Sequence, residues 1–149
     1  MSPENLPGDP QLSSAESAAA LARTVVQTAA TLLPIATAWL YGSGAQGRLR
    51  GDSDLDIALL LSQPVSPLDL AAVAADLEGL ANRPVQLVDL ATASPILGHQ
   101  VVAHGVLLLD RQPRRRHEWL MRTMSDYFDL KMTRKSGEEA LRQRLTHAR

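Results

Sequence analysis

Tyr41-Gly42-Ser43-Gly44-Ala45-Gln46-Gly47-Arg48-Leu49-Arg50-Gly51-Asp52-Ser53-Asp54-Leu55-Asp56 is the stretch on which the fold turns. Ahead of it, Ile35-Ala36-Thr37-Ala38-Trp39-Leu40 reads as a largely buried strand running into Gly42. Behind it, Asp54 opens a second strand that reaches Leu61, and the uniformly apolar far end predicts cover on both faces and a central place in a sheet. The quoted segment therefore joins a strand end, a glycine-rich turn and the start of the next strand. Glycines in such a turn let backbone N–H groups come close to an anion, and a short helix starting near Ser43 or Gly44 would aim its positive end at the same place. A triphosphate suits that position.

Asp54 and Asp56 are separated by one residue, so on a strand their side chains leave the same face while Leu55 points into the core. Two carboxylates held together repel unless a proton or a cation neutralises them. Mg²⁺, which takes oxygen ligands from one or two carboxylates plus substrate phosphates, is the fitting cation near neutral pH. Two such ions could serve phosphoryl-type transfer by activating an attacking hydroxyl and neutralising a leaving group. A third carboxylate is expected near that hydroxyl. Asp89 is the candidate, because it interrupts the apolar strand Val85-Gln86-Leu87-Val88-Asp89-Leu90 and would join the cluster if that strand lay beside the Asp54 strand. Asp52 reads as a turn residue.

The rest of the chain supplies a frame. Its 149 residues suit one domain. Residues 1–12 carry Pro3, Pro7, Gly8 and Pro10 and too few apolar side chains to order themselves, so they read as a flexible lead-in. An alanine-rich helix follows from Ser14 to about Thr31, capped by Ser13 or Ser14 and stopped by Pro34, with Leu21, Val25 and Leu32 at helical spacing. Ser66-Pro67-Leu68-Asp69 starts a helix reaching about Asn82, and Ser94-Pro95 starts another that Gly105 would end in a left-handed conformation. Val106–Leu109 would add an edge strand. From Pro113 to about Met132, Trp119, Leu120, Met124, Tyr127, Phe128 and Met132 recur at three- and four-residue spacing, and Ser136-Gly137-Glu138-Glu139 would cap a separate final helix. The organisation is thus 13–110 as a catalytic domain of α/β (α+β) class, a small mixed sheet flanked by helices, and 111–149 as a basic helical extension.

Composition narrows the function classes. There are no cysteines, which excludes a disulfide framework and a Cys-based zinc site. No apolar run reaches bilayer length and no signal pattern opens the chain, so a cytoplasmic protein is expected. The formal net charge of −1 hides an asymmetry: residues 1–110 carry four Lys/Arg against eleven Asp/Glu, a balance of −7, and residues 111–149 carry eleven against five, a balance of +6. The acidic part suits cations; the basic part suits phosphates or an acidic partner.

Gly42-Ser43, ten intervening residues and Asp54-Leu55-Asp56 resemble the signature of the DNA polymerase β-like nucleotidyltransferase superfamily, and within it the minimal nucleotidyltransferase (MNT) branch. The resemblance continues through Val85–Leu90, Ser94–Val102 and Gly105–Leu109. It reaches Asp126-Tyr127-Phe128-Asp129-Leu130-Lys131, which is similar to a run near the end of the MntA-like antitoxins of HEPN/MNT toxin–antitoxin systems. It implies the polymerase β-like fold, ATP as co-substrate, Mg²⁺ as cofactor and transfer of AMP to a tyrosine hydroxyl of a partner HEPN toxin. It further implies nucleotide binding by Gly42, Ser43, Gly44 and Arg48, and metal binding and catalysis by Asp54, Asp56 and Asp89. One departure is Gln46, which stands where the family often has arginine; Arg48 or Arg50 would then compensate.

Taken singly, a Gly-Ser turn is a turn and an Asp-x-Asp a solvated strand end; the joint spacing makes them a site. His99, His104, His117 and His147 lack partners at metal-ligand spacing and read as capping or surface residues. Trp119, Tyr127 and Phe128 read as packing residues of the last helix, against the domain or a partner. Arg114-Arg115-Arg116 reads as a solvated helix start. Two other functions stand beside toxin adenylylation: nucleotidyl transfer to a small molecule such as an aminoglycoside, and a binding-only antitoxin that neutralises its partner by complex formation. Neither nucleic acid nor membrane is expected as a partner.

Overall fold

The computed structural model describes residues 10–49 and 53–147. Helix α1, Pro10–Leu32, starts at Pro10 and not at Ser13 or Ser14. Residues 10–12, expected in the flexible lead-in, are helical, because proline in a first turn loses no needed N–H and already has helical φ; residues 1–9 lie outside the described residues. The face that α1 buries is Ala18, Ala22, Val25, Val26, Ala29 and Leu33. Leu32, expected on that face, is 55% exposed, and Leu33, one residue beyond the helix, takes its place at 7%.

Strand β1, Ile35–Tyr41, is followed by the short helix α2, Gly42–Ala45, and then by β2, Leu55–Leu61. Helix α3, Pro67–Ala81, begins as its sequence predicts: Pro67 stands at the first turn and Ser66 Oγ accepts the Asp69 N–H at 3.1 Å. Asn82 closes it in a left-handed conformation at φ 53°. Strand β3, Val85–Asp89, leads to α4, Pro95–His104, whose cap is Ser94 Oγ accepting the Leu97 N–H at 3.2 Å. Strand β4, Val106–Asp110, and helix α5, Pro113–His147, complete the order.

Two local expectations are corrected. Gly105 is extended, at φ −71° and ψ 153°, and not left-handed. Its glycine serves space instead: a Cβ there would stand 2.4 Å from the Val101 carbonyl oxygen, which accepts the Gly105 N–H at 2.8 Å. The last helix, expected to stop near Met132 and restart at Ser136, runs on as one piece of 35 residues. Gly137 meets no atom within 4 Å, and an exposed helical glycine costs only about 1 kcal/mol, too little to interrupt good helix formers on both sides.

The four strands form one sheet in the order β3-β2-β1-β4, with β1 antiparallel to β2 and β4, and β2 parallel to β3. A parallel pair needs a crossover, which α3 provides. Alternation along the strands divides the core in two. One face, with Ala38, Leu40, Leu55, Ile57, Leu59 and Val85, packs beneath α1 and α3. The other, with Trp39, Ala58 and Leu60, packs beneath Val101 of α4 and Trp119 of α5. Trp39 and Trp119 meet at 5.2 Å between ring centroids and 45° between planes, which ties α5 to the sheet. Asp110, at the end of β4, accepts from Arg116 Nε at 2.9 Å and from the buried Thr37 hydroxyl at 3.4 Å, fixing the start of α5.

Candidate active site

Residues opposite one another on paired strands share a face, so the register defines the site. Tyr41 stands opposite Asp56, and Asp56 opposite Gln86. Tyr41, Asp56 and Gln86 therefore form one row across β1, β2 and β3. The next row on that face is Trp39, Ala58 and Val88, part of the core under α4 and α5. The Asp56 row lies at the end of the sheet where β1 leaves and β2 enters. Asp54, just ahead of β2 and two residues before Asp56, is exposed, and its charge acts on Asp56.

The glycine turn closes onto this row. Gly42 adopts φ +68°, and a Cβ on it would sit 2.5 Å from Asp56 Oδ2 and 3.4 Å from Asp56 Cγ. Only glycine allows both that backbone and that approach. The turn behind it is held by Arg48 N–H donating to the Ser43 carbonyl at 2.8 Å, with Gly47 at φ 70°. Tyr41 gives α2 no side-chain cap, so the N–H groups of its first turn are not closed off by a side chain from that position. Ser43 is half-buried beside them, and Gln46 and Arg48 are exposed. Arg50 and Asp52 lie outside the described residues.

Burial and the neighbouring Asp54 charge, in that order, hold the Asp56 carboxyl above the usual carboxylate range. Tyr41 is pushed up to about 12, first by burial and then by the Asp56 charge, so its phenol stays protonated at neutral pH. Among the described residues no arginine or lysine forms an ion pair with Asp54 or Asp56. Two adjacent carboxylates, with the charge of Asp56 costly, form a donor set suited to a hard divalent cation with part of its shell left for phosphate oxygens. The residues present fit Mg²⁺.

Asp89 does not join them. In register it stands opposite Leu59, and so in the row of Ala38 and Leu59, on the α1 and α3 side of the sheet. That row is three residues beyond Asp56, roughly 10 Å along the strand. The Asp89 side chain is occupied locally: Oδ1 accepts the Ala91 N–H at 2.9 Å, the turn an aspartate makes with the backbone two residues on. Among the described residues no group of three or more metal-ligating side chains forms. The expected third carboxylate at Asp89 is thus corrected to a turn residue at the end of β3.

Two members of the row carry no signal strong enough to single them out in the sequence. Tyr41 looks like the last residue of a buried strand, and Gln86 is one polar residue in an apolar run. Parity could have placed them only with the strand register known. The helical aromatics divide: Trp119 is buried, Tyr127 is half-buried, and Phe128 is 61% exposed. His99, expected at the surface, stacks on Tyr127 with centroids 3.9 Å apart and planes 10° from parallel, joining α4 to α5. A cleft of about 390 Å³ lined by Leu60, Leu90, Ser94, Trp119, Arg122 and Asp126 opens at the far end of β2 and includes neither Asp54 nor Asp56.

The chain is similar to known proteins in both sequence and fold. Residues 23–114 match the family described as Polymerase beta, Nucleotidyltransferase. Protein adenylyltransferase MntA of Shewanella oneidensis is 36% identical over 74 residues, which cover 50% of this chain and 53% of the relative, about half of its length. The fold matches the crystal structure of a toxin–antitoxin with AMP-PNP at a TM-score of 0.70 and 26% identity, over 81% of this chain and 97% of that one. A chain in the structure of the tri-AMPylated Shewanella oneidensis HEPN toxin in complex with MNT antitoxin shares the fold at a TM-score of 0.60 and 24% identity, over 88% and 98% of the two chains. Among the described residues no helix is long and apolar enough to cross a membrane.

Proposed function

The chain belongs to the polymerase beta nucleotidyltransferase family, and from that premise we propose that it transfers AMP from ATP to a tyrosine hydroxyl of a HEPN toxin partner and so neutralises the toxin. The observation that carries the reading is the contact between Gly42 and Asp56: the anion-binding turn and the carboxylate pair are packed so closely that a single methyl group would separate them. The likeness to MntA and to a toxin–antitoxin with AMP-PNP supports protein as acceptor and ATP as donor.

In this reading Gly42, Ser43 and Gly44 present backbone N–H groups to the donor phosphates, with Arg48 within the same turn as an exposed cation. Asp54 and Asp56 would hold Mg²⁺, with a second ion completing the centre when the nucleotide phosphates are bound. When bound, the metal neutralises charge on the phosphates and on the departing pyrophosphate. The protonated Tyr41 phenol flanks Asp56 as a neutral donor and cannot take a proton from the acceptor. The acceptor oxygen bonds to the α-phosphorus, the bond from that phosphorus to the pyrophosphate oxygen breaks, and the hydroxyl proton passes to solvent water.

A binding-only antitoxin is the second reading, and exposed apolar residues on α5 favour it: Met121 (58% exposed), Phe128 (61%), Leu141 (58%) and Leu145 (68%) await a partner surface. Intact-mass measurement separates the two. Incubation with a HEPN toxin, ATP and Mg²⁺ should add AMP to the toxin, and Asp54→Asn or Asp56→Asn should abolish the addition. A toxin that gains no mass yet remains neutralised assigns the chain to the binding-only reading.

A further inference from the structure

We propose that Gln86 occupies the position at which a third carboxylate would complete the metal and proton-accepting centre, and that its amide limits both cation affinity and transfer rate. The inference rests on the nucleotidyl-transfer reading and deepens it. The parallel register sets Gln86 directly opposite Asp56 on the same face, and Gln86 is exposed where β3 begins. The remaining neighbour of Asp56 in that row is Tyr41. Asp89, the other acid of β3, stands on the opposite face and is engaged with Ala91. Among the described residues, then, the centre carries two carboxylates and no third.

The chemistry of the side chains gives this arrangement a consequence. An amide oxygen is neutral, so it adds little to the attraction of two carboxylates for a divalent cation, and an amide does not accept a proton from a hydroxyl near neutral pH. When the acceptor oxygen bonds to the α-phosphorus and pyrophosphate departs, the hydroxyl proton has no carboxylate at position 86 to receive it. A glutamate has the same length and shape as glutamine and supplies both missing properties.

The test compares the full chain with Gln86→Glu and Gln86→Ala. Two readouts are taken: Mn²⁺ binding to nucleotide-free protein by calorimetry, and the initial rate of AMP transfer from ATP to the HEPN toxin. Gln86→Glu is expected to tighten Mn²⁺ binding severalfold and to raise the rate about 10²-fold, the low end of what a positioned base contributes. Gln86→Ala removes the amide without supplying charge or base, so it is expected to show neither gain. The proposal is overturned if Gln86→Glu changes neither quantity, or if Gln86→Ala loses transfer while Mn²⁺ affinity holds, which would make the amide itself a working group. If Gln86→Glu tightens Mn²⁺ but neither protein modifies the toxin, the account of the centre stands and the choice of acceptor falls.

Discussion

Replacing Gly42 by alanine tests the site at its tightest point. The backbone there is left-handed at φ +68°, and an L-residue with a Cβ in that region costs roughly 1–2 kcal/mol. The new methyl would also stand 2.5 Å from Asp56 Oδ2, and its nearness to Asp56 Cγ and Cβ, at 3.4 and 3.5 Å, means that the carboxylate must rotate away. An off-rotamer side chain adds about 0.5–1.5 kcal/mol. Together these predict a loss of about 1.5–3.5 kcal/mol, read by urea unfolding. Function should suffer more than stability. A displacement of about 1 Å at a reacting centre can cost on the order of 10²-fold in rate, and here both the glycine turn and the Asp56 carboxylate proposed to bind phosphate and metal would move. Gly79→Ala is the control: a Cβ on that α3 glycine meets nothing within 4 Å, so the variant should gain about 0.5–1 kcal/mol and transfer AMP at the parental rate. If Gly42→Ala unfolds at the parental urea concentration and transfers AMP normally, the proposed coupling between turn and carboxylate is wrong.

Two further outcomes follow from the geometry. Asp89→Asn keeps an oxygen that can accept the Ala91 N–H, so stability and AMP transfer should both persist, whereas Asp54→Asn should abolish transfer; equal loss in the two variants, measured by toxin mass, would return Asp89 to the centre. For Asp56, the folded chain holds the proton more tightly than the unfolded chain, so stability is greatest below the ordinary value of 3.8 and falls as pH rises through the raised one. Asp56→Asn removes that dependence, and without divalent cations it should be more stable than the parent at neutral pH, with the gap closing on acidification. A variant less stable than the parent at neutral pH would show that the Asp56 charge is not a burden in the fold.

Much of this protein is legible along the chain because its signals are local. The caps at Ser66 and Ser94 involve hydroxyls three residues from their donors, and the prolines after them cannot stand elsewhere in a helix. The turn from Tyr41 to Asp56 is similarly local: a strand, a glycine that must bend back, and two aspartates with one residue between them. The ends of α1 and α5, by contrast, are not fixed by single-residue preferences. Pro10 begins α1 earlier than Ser13, and Gly137 does not stop α5, because neighbouring residues outweigh one residue's propensity.

What the sequence by itself determined was the family-like constellation of Gly42, Ser43, Asp54 and Asp56, since a spacing of two on a strand settles a shared face without knowledge of any neighbour. What only the tertiary structure decided was the other side of that constellation. Whether Asp89 or Gln86 stands beside Asp56 depends on the register of β2 against β3, and that register is set by which apolar side chains pack under α1 and α3. A shift of one residue exchanges the two faces of a strand. Leu87 and Val85 go to the core with Ile57 and Leu55, and Gln86, not Asp89, is thereby carried to the aspartates.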